Sequence, residues 1–242
     1  MAFFDGLYSY EIVLMVLGVL LFLVLLGAFV YLIITGKPWG KLLAFFAIPI
    51  AMIGFSAISS IQFGNGVVTI ETAVPDLQKD PTNAPLRDTV SKQLAQVANR
   101  PTKNPSAITA IAKAQFALGD PAAAETNLQK ALQTAPQLPE ALALKKRIDL
   151  DHRLTSLTEQ AKQHPDDDAI KTNLQTTLSE AASLSIASPL LLAHIARAHA
   201  AVGNRAAALS FADKALAIDP KLKSAMQVRE QMQAKGTELG GK

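Results

Sequence analysis

Charge vanishes from the chain over two long stretches near its beginning. From Ile12 to Ile34 there is no charged residue and no proline. As a helix this run of 23 residues is about 34 Å long, enough for a hydrocarbon core of roughly 30 Å. A break of seven residues, Thr35 to Lys41, is followed by a second uncharged stretch from Leu42 to about Ile61. Both stretches are expected to be transmembrane helices, and the short break makes them an antiparallel hairpin over residues 1–63. The break carries Lys37 and Lys41 and no acid, whereas the N-terminal flank carries Asp5 and Glu11 and no base. The positive-inside rule then places the connector in the cytoplasm, and the N-terminus and everything after Ile61 on the extracytoplasmic, periplasmic side of an inner membrane. Tyr8, Tyr10, Tyr31 and Trp39 fall near span ends, as interfacial aromatics do.

A secretory signal is the rival reading of either stretch. The N-terminus is acidic and aromatic where a signal needs a basic region; for the second span, Lys41 before it and the FSAISS segment after its core allow cleavage there. Within the second span Ala44, Ala47, Ala51 and Gly54 step by three, four and three and so share one helical face. Small residues on one face let helices approach closely in lipid. The face suits packing on the first span of the same chain, or docking on another membrane subunit. Pro49 is expected to kink this helix. Neither span contains an ionisable residue, which speaks against a proton or ion path carried by this chain alone.

Beyond the membrane the pattern changes. Gly64-Asn65-Gly66 reads as a turn, and the β-branched run Val67–Ala73 reads as a short strand or as disordered linker, within a link spanning 64–81. A tandem duplication follows at an offset of 84 residues. Pro105 meets Pro189, Gly119 meets Gly203, Ala122–Ala124 meets Ala206–Ala208, Lys130–Leu132 meets Lys214–Leu216, and Pro136 meets Pro220. The match extends upstream, with Pro81 on Pro165 and Leu94 on Leu178. It defines one unit over 82–148, a joining helix over 149–160, a second unit over 161–234, and a flexible tail over 235–242. The fold class is all-α.

Each unit holds a helix–turn–helix. Ile108, Ile111, Ala112 and Gln115 form one face of a helix from Ser106 to Leu118. Gly119-Asp120 turns the chain. A second helix, Pro121 to Thr134, presents Ala124, Leu128 and Ala131 to the first. Further helices are expected near 86–99, 138–163 and 167–184. The set Ala112, Gly119, Ala124, Ala131 and Pro136 resembles the small and turn positions of the 34-residue tetratricopeptide repeat, and Ala196, Gly203, Ala208, Ala215 and Pro220 match the same pattern. That resemblance implies a protein-binding scaffold whose groove is lined by the first helix of each pair. Position by position it points to Thr109, Lys113, Phe116 and Ala117, and to Ala193, Arg197, Ala200 and Ala201. Lys113 and Arg197 are equivalent cations, suited to an acidic peptide or a C-terminal carboxylate, or simply solvated helix-face charges.

Composition adds exclusions. The chain has no cysteine, so disulfides, thiolate metal sites and a cysteine nucleophile are out. A formal charge of +3 over 242 residues is too small to suggest a nucleic-acid partner. His152, His164, His194 and His199 form no metal-binding spacing, Asp166-Asp167-Asp168 reads as an acidic helix start, and no catalytic motif is present. The sequence therefore predicts no metal, no cofactor and no enzyme. It predicts a membrane-anchored scaffold, adaptor or assembly factor binding protein partners of an envelope membrane complex. The alternative is an accessory subunit of an energy-converting or transport complex, docked through its hairpin.

Overall fold

A computed structural model describes residues 5–240 of the chain, with side chains as far as Ala234. It is all-helical, with no strand among the described residues. The helices are α1 (Ser9–Ile34), the single turn α2 (Gly40–Leu43), α3 (Ala47–Lys79), α4 (Ala84–Val97), α5 (Pro105–Leu118) and α6 (Pro121–Thr134). They continue with α7 (Pro139–Gln163), α8 (Asp168–Ala182), α9 (Pro189–Ala201), α10 (Arg205–Ile218) and α11 (Lys223–Gly240). The chain divides into two compact units, one formed by residues up to Val68 with Ala95–Asn104, the other by Thr69–Leu94 with the chain from Pro105 on.

In the first unit α1 and the leading part of α3 are the two helices long and apolar enough to cross a membrane. Their large apolar side chains, among them Leu17, Leu23, Val24, Ile50 and Ile58, point outward and stay exposed. A buried core helix would hide them. Pro49 falls in the first turn of α3 and cannot donate to the Phe45 carbonyl. Upstream of it the chain tightens into a 3-10 turn over Ala44–Phe46, which is how the expected distortion is expressed. Phe22, Phe29, Trp39 and Phe46 pack edge to face at the connector end of the hairpin, with centroids 5.4–6.3 Å apart.

The opposite end of the hairpin is closed by a buried ion pair. Glu11, in the first turn of α1, is 1% exposed. Its Oε2 accepts from the Tyr8 backbone N–H at 2.8 Å and lies 3.3 Å from Arg100 Nη1. Arg100 also donates to the Gly6 carbonyl at 2.9 Å and lies over the Tyr8 ring. Gly6 N–H donates to Pro101 O at 3.0 Å. Ser56 on α3 donates to the Glu11 carbonyl at 2.8 Å. The segment after α4 is thus stitched to the start of α1.

The link expected over 64–81 is neither strand nor turn nor linker. It is helix, the continuation of α3 through Lys79. Val67, Ile70, Val74 and Leu77 step by three, four and three and are all buried, so one helical stripe outweighs the strand preference of the β-branched residues and the cost of Gly64 and Gly66. Residues 149–160 are the later part of the single helix α7. The tail expected from 235 continues α11 in its backbone to Gly240, and residues 241–242 lie outside the described residues.

The second unit is built from packed helix pairs. Gly119 and Gly203 turn them with φ of +95° and +78°, a conformation that favours glycine. Asp120 and Asn204 cap the following helices by accepting from Ala123 N and Ala207 N, and Asp167 caps α8 likewise. The α5–α6 crossing is bridged by Asn127 donating to Gln115 at 2.9 Å. At the α9–α10 crossing the His199 and Phe211 rings stack at 5.4 Å. Ala112, Ala124, Ala196, Ala208 and Ala212 are fully buried where the helices meet. Between the pairs run Phe116, Leu144, Ile148, Leu154, Leu174 and Ile195, and His194 Nδ1 lies 2.6 Å from the buried Asp151 carboxylate.

Two outcomes follow. Arg100→Met strands the Glu11 carboxylate without its cation and is expected to cost about 3–5 kcal/mol. The double change Glu11→Leu with Arg100→Met should recover most of that loss in denaturant unfolding of the purified protein. Burial holds the His199 pKa below its ordinary 6.5, so the unfolded chain takes up the proton first and stability falls as pH drops below about 6.5. The melting temperature should be lower at pH 5.5 than at pH 7.5, and His199→Gln should reduce that difference.

Candidate functional site

The second unit contains a cavity of about 440 Å³ walled by three helices. The later part of α3 contributes Ile70, Glu71, Val74, Pro75 and Gln78; α5 contributes Ser106, Thr109, Ala110, Lys113 and Phe116; α7 contributes Glu140, Ala143, Leu144 and Arg147. Ile70, Val74, Phe116 and Leu144 are almost completely buried and form an apolar floor. Lys113 and Arg147 are half-buried, while Glu71 and Glu140 are exposed. Burial lowers the pKa of both cations; for Lys113, Glu140 and Glu71 oppose the shift and Arg147 adds to it. Among the described residues neither cation has an ion-pair partner within 4.0 Å. Two like charges thus sit near each other in a partly dehydrated wall, which favours an incoming anion.

Three of the eight residues expected in the groove, Thr109, Lys113 and Phe116, line this cavity together. They differ in what they offer. Thr109 is 1% exposed and its hydroxyl donates to the Pro105 carbonyl at 2.7 Å, so it shapes the wall and holds no free donor. Phe116 is floor. Lys113 alone of the three brings charge. Arg197, half-buried on α9, is not part of the cavity lining. The second cation of the lining is Arg147, on α7, a residue that the helix-face reading of α5 and α9 has no means of reaching.

The small-residue face of the hairpin is turned outward. Ala44, Ala47 and Ala51 are exposed, and a side chain added at Gly54 would meet no atom within 4 Å. The face of α3 toward α1 is the other one, where Pro49, Ser56, Ser59 and Phe63 are buried and where Pro49, Met52 and Ile53 crowd Gly18. Packing of the small face on the first span is therefore corrected. Helical steps of 100° put Ala47, Ala51 and Gly54 on the side opposite Ser56 and Phe63.

No family model, no curated protein and no solved structure matches the chain.

The two faces of the hairpin should respond differently to bulk. A Cβ at Gly18 already lies 3.1 Å from Met52 and Ile53 side-chain atoms, so Gly18→Leu is expected to destabilise the hairpin by about 1–3 kcal/mol. Ala51→Leu should leave the stability of the purified protein within about 0.5 kcal/mol. Thermal unfolding in detergent checks both.

Proposed function

We propose that the protein is a membrane-anchored helical scaffold, an adaptor or assembly factor that holds a protein partner of an envelope membrane complex. The observation that carries this reading is the meeting of Thr109, Lys113 and Phe116 at one cavity with an apolar floor and cations that form no ion pair among the described residues. Pockets of roughly 300–1,000 Å³ with a few convergent polar groups are the default binding sites of folded domains. The two exposed apolar helices supply the anchor, and the cationic connector supports an extracytoplasmic position for the helical unit. A tetratricopeptide-like duplication is supported by recurrence. The turns at Gly119 and Gly203 make the same backbone bonds, Asp120 N–H to Gln115 O and Asn204 N–H to His199 O, each 2.9 Å. In this reading the chain performs no catalysis.

A second reading has its own observation. The outward face of Ala44, Ala47, Ala51 and Gly54 suits close approach of another membrane helix, as in an accessory subunit docked through its hairpin. Mild detergent extraction from native membranes, followed by sizing and mass spectrometry, separates the two. Lys113→Glu should release the partner of a scaffold and Ala51→Leu should leave it bound. The reverse pattern would establish the docked subunit, and retention by both variants would refute both interface assignments.

A further inference from the structure

We propose that the cavity between α3, α5 and α7 binds a small apolar monocarboxylate. Its carboxylate would bridge Lys113 and Arg147, and its hydrocarbon body would lie over Ile70, Val74, Phe116 and Leu144. This rests on the scaffold reading and deepens it at the same cavity: the free acid fills the interior, and the protein partner is held at the surface around Lys113.

Lys113 and Arg147 come from different helices and are half-buried, with no ion-pair partner within 4.0 Å among the described residues. Each would be stabilised by an anion placed between them, through charge-assisted hydrogen bonds. Glu71 and Glu140 are exposed members of the same lining. They leave the charged groups of the lining balanced, two positive and two negative, so the anion is held by contact with the two half-buried cations and not by an excess of positive charge. The floor selects an apolar body, because Ile70, Val74, Phe116 and Leu144 present no polar atom of their side chains to it. A free acid fits better than the end of a peptide. An entering peptide would bring amide groups that need partners, and the floor of Ile70, Val74, Phe116 and Leu144 offers none. An alkyl or aryl acid brings one polar group, and that group has two cations.

The test uses the full chain in nanodiscs and 4-phenylbutyrate as probe, read by isothermal titration calorimetry. The uncharged 4-phenylbutanamide should bind at least tenfold more weakly. Lys113→Met and Arg147→Met should each weaken 4-phenylbutyrate about tenfold or more, and the double variant should abolish it. Both variants should melt no lower than the parent, since they remove a desolvated cation without an ion-pair partner, so lost binding is not lost folding. Glu71→Gln with Glu140→Gln should strengthen 4-phenylbutyrate binding, since it removes two like charges from the lining. Equal binding of acid and amide, or indifference to loss of both cations, would overturn the proposal. So would preference for an N-acetylated apolar tripeptide acid over 4-phenylbutyrate, which would return the cavity to a partner's chain end. Because partner retention is measured separately in native membranes, the ligand can fail while the scaffold stands, and the reverse.

Discussion

A carboxylate sits almost out of reach of water at the base of the hairpin, and the first unit is organised around supplying it with a cation. Glu11 has no charged neighbour on its own helix. Arg100 comes from more than eighty residues away in sequence to meet it. The same guanidinium ties down the Gly6 carbonyl and covers the Tyr8 ring. Ser56 completes the arrangement by bonding the Glu11 carbonyl from α3. Removing the acid alone or the base alone leaves a buried charge uncompensated, while removing both leaves an apolar gap. That asymmetry is what makes the pair a constraint on the fold more than a source of net stability.

The second unit solves a different problem. Its helices meet through alanine, so backbones come close and little side-chain area is available at each crossing. Leucines and isoleucines of α7, α8 and α9 make up the difference in a shared core. The crossings are then differentiated by single residues, a hydrogen bond between Gln115 and Asn127 in one and an aromatic stack of His199 and Phe211 in the other. The cavity lies where α3 joins α5 and α7, and it combines a floor that water avoids with charges that water would stabilise. That combination is costly when empty and selective when filled.

Much of this was written plainly in the sequence, for local reasons. Gly119, Gly203, Asp120 and Asn204 mark their turns and caps directly, and the helix pairs follow from them. The uncharged runs define the apolar helices by length alone. The misreading at Val67–Ala73 has a physical cause. β-Branched residues carry a strand preference that a buried helical stripe overrides, and the stripe at Val67, Ile70, Val74 and Leu77 becomes visible only when the window extends past Pro75. Arg100 and Arg147 were harder to see. Arg100 acts through Glu11, far away in sequence, and Arg147 reaches the cavity from a helix distant in sequence from α5, and nothing in the neighbouring residues announces either. Lys113 and Phe116, named by the resemblance, share the cavity lining, whereas Arg197 lies outside it.

The two unlike crossings have a consequence for how the helical unit comes apart. The α5–α6 crossing is bridged by neutral amides that do not titrate between neutral and mildly acidic pH, whereas the α9–α10 crossing contains an imidazole that does. Acid is therefore expected to weaken the α9–α10 crossing more than the α5–α6 crossing, and amide exchange at acid pH to reach α9 and α10 first.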